Sequence, residues 1–143
     1  MKKHSGFNII ELLVVFVVLT TAGLLFINQK NSLEATARDR ERKEDVNTLY
    51  HNLTKIYYKK NQAYPDTLDS ESLPAVPTEA FKDPRGIVVN KKAEISLNLT
   101  RRDSDYIYKP TGCDQETNEC QGFTLKATLE NETDFIKKVE LDK

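Results

Sequence analysis

Cysteine is nearly absent from this sequence: Cys113 and Cys120 are the only two among 143 residues. A disulfide-rich scaffold is excluded, and a zinc site is disfavoured because His4 and His51 lie far off and no second cysteine pair exists. Proline and glycine number five each, which rules out collagen-like repeats and low-complexity linkers. Charge of one sign is also lacking. The formal net charge is −1, whereas a general nucleic-acid binder is usually clearly basic. There is no internal repeat and no long like-charge tail.

Apolar residues make up 38% of the chain, and much of that content lies in the first 27 residues. The soluble remainder can bury only a small core, which leans on a staple or on neighbours. Cys113 and Cys120 suit a disulfide in an oxidising compartment, given the apolar segment upstream. A loop that short would be worth about 2–3 kcal/mol on the chain-entropy model. Two free thiols are the alternative.

Residues 12–27 run without a charge. A cleaved secretory signal fits poorly, because Ala22 and Gly23 are followed by four more apolar residues and no small-residue cleavage site. A plain membrane anchor over residues 7–27 would be about 31 Å long at 1.5 Å per residue, but only with Asn8 and Glu11 inside the boundary. Neither reading explains Glu11. Basic residues flank the run on both sides, with Lys2 and Lys3 before it and Lys30, Arg38, Arg40 and Arg42 after it. Basic count alone would put the C-terminal part inside. The cysteine pair favours outside.

The order KKHSG, then FNIIELLVV, resembles the processing site of type IV pilins and pseudopilins. That pattern has a short basic leader ending in Gly, an aromatic first mature residue, Glu at the fifth mature position and an apolar helix. The resemblance implies cleavage between Gly6 and Phe7 by a membrane prepilin peptidase, with methylation of the new Phe7 amine. It also implies a division into leader 1–6, assembly and membrane helix 7–27, helix extension 28–61 and head 62–143. Partners would be other pilin subunits, the peptidase and an assembly platform. The precursor would sit in the cytoplasmic membrane with its head outside, and the mature chain in a surface filament. Glu11 then gains a reason: an unpaired charge in a bilayer costs on the order of several kcal/mol. The amine at Phe7, on the same or an adjacent chain, would pair with it, and the helix dipole favours a carboxylate in the first turn. A secretion or competence pseudopilin is an alternative. So is a single-pass membrane protein with a binding head that does not polymerise.

Residues 28–60 contain no Pro or Gly and read as a continuation of the helix. The run RDRERKED (38–45) offers Asp39–Lys43 and Arg40–Glu44 at i,i+4 and reads as a solvated stalk, or as a surface complementary to neighbouring subunits. Val46, Leu49, Leu53 and Ile56 recur at helical spacing, flanked by Tyr50 and Tyr57, and predict a stripe packed on a sheet. Asn61 is the expected helix stop. Residues 62–85 hold four prolines and read as a long loop. Strands are predicted at GIVVN (86–90), AEISLNL (93–99), DYIYK (105–109) and, most clearly, GFTLKATLE (122–130). DFIKKVEL (134–141) reads as a last strand or a short helix. The expected fold is α+β: a long N-terminal helix packed on an antiparallel sheet of about four strands, as the pilin resemblance also implies.

No catalytic constellation emerges, and the chain is read as a non-enzyme without a cofactor. His51 reads as a surface helix position. Asp103, Asp105, Asp114 and Glu116 lack calcium-loop spacing, so no metal site is expected. Lys91-Lys92 and Arg101-Arg102 are a weak nucleic-acid signal. A chain starting at Phe7 would carry a net charge of −3, since residues 1–6 hold Lys2 and Lys3.

Overall fold

A computed structural model describes residues 8–93 and 102–140. The chain divides into two compact units between Thr36 and Ala37. Helix α1 (Ile9–His51) begins in the first and ends in the second. A π-helical turn (Asn52–Tyr57) follows it directly, then α2 (Tyr58–Asn61). The helix ends at Asn61, and Gln62 after it enters the left-handed region at φ 57°.

The second unit holds the core. Its strands are β1 (Tyr64–Pro65), β2 (Lys92–Ala93), β3 (Arg102–Asp103), β4 (Tyr106–Cys113), β5 (Glu119–Ala127) and β6 (Phe135–Val139). Strand β5 is the middle of a four-stranded antiparallel sheet. It pairs with β4 along one edge, and with β1 and β6 along the other. Strands β2 and β3 form a separate two-stranded pair. The expected architecture of a long helix on four antiparallel strands is therefore present, though β1, inside the proline-rich loop, supplies one of the four. DFIKKVEL contributes a strand.

Two predicted strands fare differently. Segment 86–90 forms turns and a single bridge at Val88, because the Asp83 carboxylate captures the amides of Arg85 and Ile87 and bends the chain before a ladder can extend. Most of AEISLNL lies outside the described residues.

Alternation puts Phe123, Leu125 and Ala127 of β5 and Tyr106 and Tyr108 of β4 on one buried face, against Val46, Leu49 and Leu53 of the helix. Phe123 is the hub. Its ring lies 4.8 Å from Tyr64, 5.6 Å from Tyr108 and 6.0 Å from Tyr50, centroid to centroid, separations typical of favourable aromatic pairs. Two core tyrosines satisfy their hydroxyls: Tyr106 donates to Asp45 Oδ2 and Tyr108 to the Pro65 carbonyl, both at 2.7 Å. Ile56 departs from the predicted stripe and is 51% exposed. The wider π turn explains it, since a turn with more residues rotates Ile56 off the line set by Leu49 and Leu53.

Gly122 must lack a side chain. A Cβ there would collide with the Val139 carbonyl oxygen and crowd Thr111 Oγ1.

Candidate functional site

The predicted site starts at the head of α1. Asn8 precedes the helix, and its carbonyl accepts from the amides of Glu11, at 2.9 Å, and Leu12, at 3.2 Å. Glu11 thus sits in the first helical turn, where free amides and the helix dipole favour a negative charge. Its side chain is exposed and has no partner among the described residues. Gly6 and Phe7, the two expected processing residues, lie outside the described residues.

From residue 9 to residue 27 every side chain is exposed, and large apolar groups point in all directions around the helix. The few hydroxyls are satisfied internally: Thr20 donates to the Phe16 and Val17 carbonyls, and Thr21 to those of Val17 and Val18. Such a surface asks for lipid or for other apolar helices, because no polar side exists to face water. The helix is long and apolar enough to cross a membrane.

The charged run 38–45 corrects the expectation of a solvated stalk. Asp39 and Arg42 are buried, Arg42 completely. Arg42 Nη1 donates to Asp39 at 2.7 Å, and Nη2 donates to Asp105 at 2.8 Å and to Glu130 at 2.9 Å. Arg38 grips Glu130 with two bonds of 2.8 Å, and Arg85 reaches Asp105 at 3.1 Å. Asp39 also accepts the amides of Glu130 and Asn131. Of the two expected i,i+4 pairs, Arg40–Glu44 forms at 2.9 Å on the surface. Asp39–Lys43 does not form, because Lys43 turns to Glu132 at 2.6 Å. Arg42 Nε is buried with no acceptor among the described residues. These contacts tie the helix to the loop after β5 and to the segment before β4.

The charges shift accordingly. Glu130, held first by the Arg38 hydrogen bonds and then by Arg42 against the opposing effect of burial, is pulled down to about 2. Burial pushes the Asp39 carboxyl up, but the Asn131 and Glu130 amides and Arg42 outweigh it, so its pKa is lowered. Burial raises that of Asp45. Sequence reasoning missed the buried role of Arg42. Its one local trace is the i,i+3 spacing to Asp39, while Asp105 and Glu130 lie 63 and 88 residues away.

Cys113 and Cys120 form a disulfide across paired positions at the β4–β5 hairpin, with Cα atoms 3.8 Å apart. The hairpin loop is organised by Asp114, whose carboxylate accepts the amides of Glu116 and Thr117. Asp105 is taken up by Arg42 and Arg85. Among the described residues, no three His, Cys, Asp or Glu side chains converge as metal ligands would. His51 is exposed on the helix. No protein-family model matches the chain, and neither curated proteins nor solved structures yield a match.

Proposed function

We propose that this chain is a structural subunit of a type IV pilus-like filament, cut between Gly6 and Phe7 and assembled through its N-terminal helix. The observation that carries the reading is Glu11: a carboxylate without a partner among the described residues, in the first turn of a helix whose apolar circumference is uncovered from residue 9 to residue 27. A lone carboxylate at the mouth of an apolar helix needs a cation once that helix enters lipid or a bundle. Cleavage after Gly6 creates one, the Phe7 amine, four residues away in the same chain and equally present on every neighbour. Pairing between chains neutralises two charges and fixes the axial register, which is the best-attested use of buried ions. Head-to-tail repetition of one contact builds an open helical polymer. The mature head would then stand outside the membrane, where the Cys113–Cys120 disulfide persists.

Mass spectrometry of the protein from its host is the test. A chain starting at Phe7 is expected, and an intact Met1 or a cut near Ala22 overturns the processing step. Glu11→Ala should leave cleavage intact and reduce recovery in sheared surface fibres. Normal incorporation of that variant overturns the pairing and favours a single-pass protein that does not polymerise.

A further inference from the structure

The two outer edges of the sheet are treated differently. On β4 the edge is occupied: the Asn90 side chain takes both the amide and the carbonyl of Tyr108, the Asn90 amide donates to the Tyr106 carbonyl, and Pro110 removes a donor. On β6 the edge away from β5 is open. Among the described residues, no backbone group on that side of Phe135–Val139 has a partner. An open edge is a template for another strand unless a proline, a bulge or an inward charge spoils it. Strand β6 has no proline or glycine. Lys137, the one charge on its inner face, is drawn away to lie 5.6 Å from the Tyr50 ring centroid and 5.2 Å from that of Phe135.

We propose that this edge pairs antiparallel with β6 of a second copy of the chain, about a two-fold axis through Ile136. The charge order of DFIKKVE (134–140) selects both the occupant and the register. Centring on Ile136 sets the two Ile136 side chains opposite each other and each Asp134 opposite a Lys138 of the partner. Both charge pairs lie on the same outer face as Ile136, which is 52% exposed. Phe135 then faces Lys137, on the inner side. Centring on Lys137 or Lys138 sets like charges opposite, and centring on Phe135 sets Asp134 against Ile136. Over residues 134–138 the first register sets aliphatic against aliphatic and opposite charges against each other, which is what stabilises antiparallel strands; beyond the strand it brings Glu140 opposite Glu132. Asp134 and Lys138 already hold surface partners, Lys126 at 2.8 Å and Glu140 at 3.3 Å. Exposed pairs of that kind contribute little, so exchanging them is nearly free. The result is a sheet with β4, β5 and β6 of each copy side by side. Five residues per strand bury less than a permanent dimer needs, so the pair is weak and reversible. The proposal goes beyond the filament reading and does not depend on it.

The native cysteines are joined to each other and no free thiol remains, so one introduced cysteine reports the contact. The full-length protein in detergent micelles carries Ile136→Cys or, as control, Ile107→Cys, which is 41% exposed on β4. Under mild oxidation Ile136→Cys should give covalent dimer about tenfold faster, since facing positions meet disulfide geometry and random encounters rarely do. Adding Lys138→Glu, or instead Asp134→Lys, should slow it about fivefold by setting like charges opposite. Mixing these two charge variants restores complementarity and should restore the rate. Equal rates at the two cysteine positions, indifference to the charge changes, or failure of the mixture to recover would each overturn the proposal. Near-UV circular dichroism confirms that each variant is folded.

Discussion

Replacing Arg42 by Met tests whether the buried charge cluster holds the helix to the sheet. The substitution removes three charge-assisted hydrogen bonds, of 2.7, 2.8 and 2.9 Å, from a fully buried guanidinium. Methionine refills most of the apolar volume, so a cavity is not the main effect. The partners are left unequally served. Glu130 keeps Arg38, and Asp105 keeps Arg85. Asp39, 3% exposed, keeps two backbone amides but loses the one cation it pairs with among the described residues. Removing one partner of a buried ion pair typically costs about 3–5 kcal/mol. Relief of the unpaired Nε donor returns about 1 kcal/mol. A net loss near 3 kcal/mol follows, which shifts a urea midpoint by about 1.5 M at a slope near 2 kcal/mol/M. The assay is urea unfolding of the full chain in micelles, followed by the near-UV signal of its tyrosines. Adding Asp39→Asn to Arg42→Met should not rescue it, because both Asp39 oxygens accept backbone amides and an amide side chain can accept at only one of them. A midpoint shift under about 0.5 M, or a more stable single variant, would refute the reasoning.

Acid should weaken the head in a definite window. Glu130 drops from an ordinary value of 4.5 to about 2, so its contribution is complete above pH 4.5 and is lost as pH falls from there toward 2. The full shift corresponds to about 3 kcal/mol, and solvent screening of a quarter-exposed side chain reduces this to about 1–2 kcal/mol. Asp45, raised by burial, acts in the opposite sense, so the comparison of Glu130→Gln with the parent isolates the effect; equal acid slopes would refute it. Gly122→Ala should destabilise by about 1–3 kcal/mol through the clash with the Val139 carbonyl, read as a lower melting temperature. Replacing Cys113 and Cys120 together by Ser should cost about 2.5 kcal/mol on the chain-entropy model, read as a lower urea midpoint.

Local pattern was enough for the elements whose chemistry is local. The uncharged run over residues 12–27, with Glu11 at its edge, determined an apolar helix with a carboxylate in its first turn. The spacing of Val46, Leu49 and Leu53 determined which face of the helix is buried. The alternation of Phe123, Leu125 and Ala127 determined the central strand, because period two leaves a half-buried segment no other geometry. Tertiary structure decided whatever depends on a distant partner. RDRERKED reads as a surface run, yet Arg42 is buried because Asp105 and Glu130 are brought to it from beyond the loop. Ile56 fits the stripe by spacing and leaves it through a π turn that spacing cannot reveal. DFIKKVEL was balanced between strand and helix until the edge of β5 offered its hydrogen bonds. Segment 86–90 had the composition of a strand but lost its amides to Asp83. Periodicity records what a segment must bury, whereas the choice of partner belongs to the three-dimensional competition for hydrogen bonds and counter-charges.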